Sequence, residues 1–192
     1  WHIAVFFGIL WTAAPFVAWA VSQSTETEDH LDVLPSDRTA LRQVARRTWT
    51  YFETFVTEEH NWLPPDNYQE IPTPVVAART SPTNIGLYLL SVVAARDFGW
   101  IALSETVTRL ENTLAAMARL DTHNGHFFNW YDTRRAAPLA PRYVSTVDSG
   151  NLAGHLIAVS AACTDWATAA HIAHLDVECD GMRDCLGILA EE

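Results

Sequence analysis

Carboxylates and amides set among aromatic rings are the residue types that grip a sugar, and this chain clusters them three times. Gly125-His126-Phe127-Phe128-Asn129-Trp130-Tyr131-Asp132-Thr133 carries Asn129, Trp130, Tyr131 and Asp132 between two helix-like regions. Tyr143-Val144-Ser145-Thr146-Val147-Asp148-Ser149-Gly150-Asn151-Leu152 adds Asp148 and Asn151, and the proline-rich run from Asn61 to Glu70 adds Trp62, Asp66, Asn67 and Glu70. Aromatic faces cover the apolar C–H face of a pyranose, while carboxylates and amides take its hydroxyls. The three stretches are therefore read as walls of one carbohydrate site.

Glycoside chemistry needs two carboxyl groups across the scissile bond, roughly 5–5.5 Å apart for retention and roughly 6.5–9.5 Å for inversion. The loop carboxylates are Asp66, Glu70, Asp132 and Asp148, and sequence spacing does not say which of them face each other. Each also has a plain structural reading. Asp148 precedes Ser149-Gly150-Asn151 at a helix start and can be an N-cap, alone or together with a sugar contact. Asp66 follows two prolines and can be a turn former. Asp132 has no helix start in reach, and Glu70 can simply pair with Arg79. Arg79 itself suits the orienting of a carboxylate more than substrate contact. His126 is a lone loop histidine; His155, His171 and His174 fall on helical faces, and the i,i+3 pair His171 and His174 lacks a third metal ligand.

Five stretches carry a family resemblance. Gly125 to Thr133 and Tyr143 to Gly154, together with Asn61-Trp62-Leu63-Pro64-Pro65-Asp66-Asn67-Tyr68-Gln69-Glu70, Arg79-Thr80-Ser81-Pro82-Thr83-Asn84-Ile85-Gly86-Leu87-Tyr88 and Asp97-Phe98-Gly99, resemble the central glucoamylase-like region of bacterial cyclic β-1,2-glucan synthases. The likeness runs in the same order from about Thr48 to Ala162. It implies a helical domain that closes linear β-1,2-glucan into a ring by transglycosylation, with its catalytic glutamates in motifs downstream of this stretch. Catalytic residues are therefore unassigned in this chain, and Glu191 and Glu192 are not substitutes for them. The polymerising and phosphorylase-like domains that flank this region in the family are not represented either.

The composition is compatible with that reading. Twenty-three acidic side chains face 12 basic ones, all arginine, for a formal net charge of −11. That sign argues against nucleic acid, whose binding relies on cations neutralising phosphates, and is indifferent to a neutral glucan. Cys163, Cys179 and Cys185 form no CxxC pair and are read as reduced, structural thiols. The reading needs no cofactor and no metal.

The elements that must position these residues are helices. No charged residue occurs from Ile3 to Val21, and about 20 apolar residues is the length that spans a bilayer. A transmembrane helix over residues 1–22 is expected, with a buried core helix or a signal peptide cut after Ala20 as alternatives. The first residue is Trp1 rather than Met, which is read as an excised or incomplete piece. Residues 23–37 are polar and acidic, a juxtamembrane linker. Further helices are expected from Ser36 or Asp37, with Trp49 and Phe52 in the core, from Ser81 or Thr83 to a stop at Gly99, from a Ser104 cap to about Leu120, from an Asp148 or Ser149 cap to Cys163, and from Cys179 to Leu189. Glu58 to Pro74 holds too many prolines for a regular helix or central strand. No strand pattern stands out beyond short extended pieces such as Tyr143 to Val147.

The expected fold is all-α: one transmembrane helix, then residues 38–192 as part of an (α/α)6 toroid that five soluble helices cannot close. The expected function is a fragment of a membrane-bound cyclic β-1,2-glucan synthase, inactive alone, with three partners: β-1,2-glucan, the lipid bilayer and the remaining domains of the parent synthase. Its expected place is a bacterial inner membrane, with the soluble part cytoplasmic. An endo-β-1,2-glucanase-like hydrolase and a non-catalytic carbohydrate-binding helical module remain as alternatives.

Overall fold

The computed structural model describes residues 2–23, 33–168 and 175–189. Trp1, His171, His174, Glu191 and Glu192 lie outside the described residues. The chain divides into two compact units, Trp1–Leu34 and Pro35–Glu192.

The first unit contains helix α1, His2–Ser22. Its stretch Ile3–Ser22 has a mean hydropathy of 1.9 and is long and apolar enough to cross a membrane. Phe6, Trp11, Phe16 and Trp19 are all exposed.

The second unit is built on helices α2 (Pro35–Phe55), α3 (Pro82–Asp97), α4 (Leu103–Met117), α5 (Thr146–Thr168) and α6 (Leu175–Leu189). Helix α2 begins inside the stretch expected to be linker, because proline's fixed φ suits a first helical turn. On its inner face Trp49 is 2% exposed, and Phe52 packs against the same core. Helix α3 starts as expected: the Ser81 hydroxyl accepts the Asn84 N–H at 3.2 Å and Pro82 occupies the first turn. It stops at Gly99, whose φ of 77° is the left-handed conformation that a β-carbon disfavours.

Ile85, Tyr88, Leu89, Val92 and Ala95 are buried along one side of α3, widened by Gly86 and Val93, and the helix packs against α5, α4 and α2, so it is the central helix. Full burial of one such aliphatic or aromatic side chain stabilises by about 1.5–3 kcal/mol, and α3 carries several. Its most extensive packing is against α5. That approach is close because position 86 lacks a side chain: a β-carbon there would lie 2.4 Å from His155 Nδ1 and 3.1 Å from His155 Cβ.

Two helix starts differ from the expected ones. Helix α4 opens at Leu103 after Ala102, with no side-chain cap, so Ser104 lies inside it. Helix α5 opens at Thr146; Ser145 Oγ accepts the Asp148 N–H at 3.2 Å, so the cap is Ser145 rather than Asp148 or Ser149. A hydroxyl one turn earlier reaches the same orphan N–H groups, and local sequence does not choose between them. Helix α6 also begins earlier than Cys179 and lies on α2. There Asp184, 7% exposed, accepts from Arg42 Nη2 at 2.7 Å and from Trp100 Nε1 at 2.8 Å.

Between the helices run short strands in three antiparallel sheets, an addition to the helical frame. Strand β1 (Tyr68–Gln69) pairs with β2 (Val75–Val76), and β4 (Thr122–His123) pairs with β5 (His126–Phe127). Strands β3 (Arg79–Thr80), β6 (Tyr131–Asp132) and β7 (Ala137–Pro138) form a three-stranded sheet in the order β3-β6-β7. Each strand has two residues, too few to show an alternation in sequence. The β4–β5 turn has a local signature nonetheless: Asn124-Gly125, at φ 50° and 82°, supplies the left-handed pair of a tight hairpin.

The α3–α5 contact yields a direct test. Gly86→Ala should destabilise the chain by about 1–3 kcal/mol through overpacking, read as a shifted urea midpoint. Gly86→Ala combined with His155→Ala should recover most of that loss; an unchanged midpoint in the single variant would contradict so tight a seam.

Candidate functional site

The first turn of α3 is where the separate loops meet. Asp66, after Pro64-Pro65, is placed by backbone bonds from Asp66 N–H to the Ala77 carbonyl at 3.1 Å and from Ala77 N–H to the Asn67 carbonyl at 2.9 Å. Tyr51 on α2 steadies the same loop, its hydroxyl donating to the Pro65 carbonyl at 2.8 Å. Burial first, and the Asp66 charge second, push the Tyr51 phenol up to about 12, so it stays a neutral donor at physiological pH.

The Asp66 carboxylate is fully engaged. Oδ2 accepts Arg79 Nε at 3.1 Å, Arg79 Nη2 at 2.9 Å and Asn67 Nδ2 at 3.1 Å, and Oδ1 accepts Asn84 Nδ2 at 3.3 Å. Both Arg79 donors thus converge on one oxygen instead of forming a two-oxygen fork. The guanidinium carbon also lies 4.9 Å from the Trp130 ring centroid, a cation–π contact. On the adjoining residue of α3, Thr83 Oγ1 donates to Asp148 Oδ1 at 2.5 Å and accepts from Asn151 Nδ2 at 3.2 Å. A continuous strip therefore runs Trp130, Arg79, Asp66, Asn84, Thr83, Asp148, Asn151. Its two carboxylates come from different segments and meet at a helix N-terminus, whose partial positive charge favours both.

The predicted site residues divide on this geometry. Asp66, Asn67, Trp130, Asp148 and Asn151 are brought together. Tyr131 is wholly buried; its hydroxyl donates to the Asp121 carbonyl and accepts the Phe128 N–H, both at 2.7 Å. Its ring has no free face for a sugar. Asn129, 5% exposed, donates to the Tyr143 hydroxyl at 2.6 Å and so ties the two motif segments together from within. Asp132 is a turn former, accepting the backbone N–H groups of Arg134 and Arg135 at 2.9 Å each. Trp62 is half-buried at φ 59°, with its carbonyl bonded to Thr113 Oγ1 at 2.9 Å on α4, and no described bond joins it to the strip. Glu70 is exposed, and the partner proposed for it, Arg79, is bound to Asp66 instead.

Sequence reasoning missed His60, Asn61, Thr83 and Asn84. His60 is buried with Nδ1 2.6 Å from Thr133 Oγ1, and Asn61 Nδ2 donates to the Thr133 and Arg134 carbonyls at 2.8 and 2.9 Å. These bonds stitch the proline-rich loop to the β6–β7 connection. Only the left-handed backbone of Asn61, φ 52°, has a residue-type signal. Among the described residues no group of three or more His, Cys, Asp and Glu could hold a metal ion. Cys163, Cys179 and Cys185 are free thiols.

The helical unit has a glucoamylase-like fold. In structure the chain is similar to a candidate glucoamylase from Bacteroides fragilis NCTC 9343, with a TM-score of 0.57 at 17% identity, over 85% of this chain and 37% of that one. In sequence it is 60% identical over 185 residues to the cyclic beta-(1,2)-glucan synthase NdvB of Rhizobium meliloti strain 1021, a match that takes in 96% of this chain and 6% of that protein. The chain belongs to the family described as protein of unknown function DUF3131, whose pattern matches residues 43–151. All the strip residues fall within that match.

The stitch at His60 is pH-sensitive. Burial, then the nearby Arg134 charge, hold the imidazole below its ordinary value of 6.5 despite the opposing pull of Glu59 and Asp132. The unfolded chain therefore takes up a proton that the folded one refuses, so this contribution to stability is complete above about 6.5 and is lost as pH falls below it. Unfolding midpoints measured from pH 8 down to 5 should fall on the acid side, and His60→Gln should flatten that fall.

Proposed function

We propose that this chain is part of a membrane-bound cyclic β-1,2-glucan synthase and forms one wall of the cleft in which linear β-1,2-glucan is closed into a ring by transglycosylation. The observation that carries the reading is the strip itself. Asp66 and Trp130, from two separate connections, and Asp148 and Asn151, from the start of α5, meet around the first turn of α3, and these are side-chain types that suit a neutral polyhydroxylated ligand. The name of the 60% identical relative supplies the glucan and its linkage, and the fold likeness agrees with a glycosidase-type cleft.

Each residue has a task in this reading. Asp148 and Asn151, held in register by Thr83, accept from and donate to glucan hydroxyls. Trp130 offers the ring face and edge that Arg79 leaves uncovered, and Asp66 keeps Arg79 in place. The carboxylates that break and form the glycosidic bond lie outside this chain, which alone catalyses nothing. Helix α1 anchors the assembly in the bacterial inner membrane, with the second unit on the cytoplasmic side, and the remaining domains of the parent synthase complete the cleft.

Linear β-1,2-glucan added to the full chain in detergent should bind and be recovered unchanged. Asp148→Ala should weaken binding about tenfold, the order expected for loss of a charged hydrogen-bond acceptor. Mass analysis of the recovered glucan distinguishes the readings: shortened chains would point to a hydrolase, and rings would show that the chain carries its own catalytic groups. Equal binding of a β-1,4-linked glucan would remove the linkage assignment.

A further inference from the structure

Next to the strip lies an open hollow of ≈ 480 Å³ lined by Asn67, Gln69, Val75, Ala77, Ala78 and Arg79. Its size falls within the range of about 300–1,000 Å³ typical of small-molecule sites. One face of the β1–β2 ribbon makes its floor. Gln69 stands opposite Val75, and the Ala77 N–H bonds the Asn67 carbonyl, so these four residues share a side. Tyr68 and Val76 point to the other side, where the Tyr68 ring packs on Phe55 with centroids 4.8 Å apart.

The lining is chemically one-sided. Two amides and a guanidinium supply donors, Val75, Ala77 and Ala78 supply a small apolar floor, and no carboxylate is among them. All three polar side chains already make one bond or more, Asn67 through Nδ2 to Asp66 Oδ2 at 3.1 Å, which leaves its carbonyl oxygen and second N–H for a ligand. Gln69 Nε2 donates to the Ile71 carbonyl at 2.7 Å. Arg79 uses Nε and Nη2 on Asp66, sits with its guanidinium carbon over the Trp130 ring, and leaves Nη1 without a hydrogen bond to any described residue. Because the guanidinium covers that face of the indole, a ligand here is held by hydrogen bonds and the small apolar floor.

We propose that this hollow is a glucosyl subsite, in which Arg79 Nη1 and the Asn67 and Gln69 amides bond ring hydroxyls while Val75, Ala77 and Ala78 cover the C–H face. The proposal rests on reading the neighbouring strip as a glucan cleft, which it extends by a further sugar. Arg79 belongs to both parts, fixing Asp66 on one side and binding glucan on the other.

Calorimetric titration of the full chain with linear β-1,2-glucooligosaccharides of increasing length tests it. For the native chain, affinity should rise at the length that first reaches the hollow. Ala77→Phe, which fills the hollow, and Gln69→Ala, on an exposed strand, should each abolish that rise, with about a fivefold loss for the longer sugar and none for the shorter. Arg79→Lys should lose a similar amount, since a point charge holds Asp66 but lacks the third nitrogen. If all three variants keep the native length dependence while Asn151→Ala weakens every length, the subsite is refuted and the cleft stands. If the native chain binds none of the oligosaccharides, both fall together.

Discussion

Burial of α3 is the constraint on which the second unit depends. A helix apolar on most of its faces cannot remain in water, and it is covered by α5, α4 and α2. Covering it so closely brings the preceding loop and the start of α5 to its N-terminal turn. Ser81 and Pro82 specify where that turn begins, and so specify where Thr83 and Asn84 present their side chains to Asp148 and Asp66. The polar strip is a consequence of the apolar packing beneath it.

The long connections are ordered by a different kind of interaction. They carry little periodic hydrophobicity, and their strands are two residues each. Their shape comes from one buried and several part-buried polar pairs: His60 with Thr133, then Asn129 with Tyr143, Tyr131 with Asp121, Tyr51 with Pro65. Buried polar groups are costly unless bonded, so a set of mutually satisfied ones selects a single loop arrangement. Rigid loops over a packed helix are what a cleft needs if its donors are to wait in position for a ligand.

Aromatic residues in the motif stretches took two different parts. Tyr131 and Trp130 are adjacent, both in a run that suggested sugar stacking, yet Tyr131 is sealed in the core and Trp130 lies under Arg79 at the surface. Trp130 lies just before β6 and Tyr131 opens it, and composition alone cannot say which of the two rings is wet. The same limit applied to acids: Asp132 closes a turn while Asp148 reaches across to Thr83.

What the chain's residues determined unaided is local. The apolar run of α1, the Ser81 cap with Pro82, the Gly99 stop and the inward faces of Trp49 and Phe52 depend on spacing within a helix or a single turn, and each was legible there. The all-α frame follows from the same periodicities. Tertiary structure alone decided which loop groups meet, because the Arg79 to Trp130 contact, the capture of Asp66 by Arg79 and Asn84, and the Thr83 bridge to Asp148 and Asn151 join residues far apart in sequence. The Thr83 bridge in particular depends on how closely α3 and α5 approach, and that distance is set by packing at Gly86 against His155, a pairing that lies beyond the reach of local sequence.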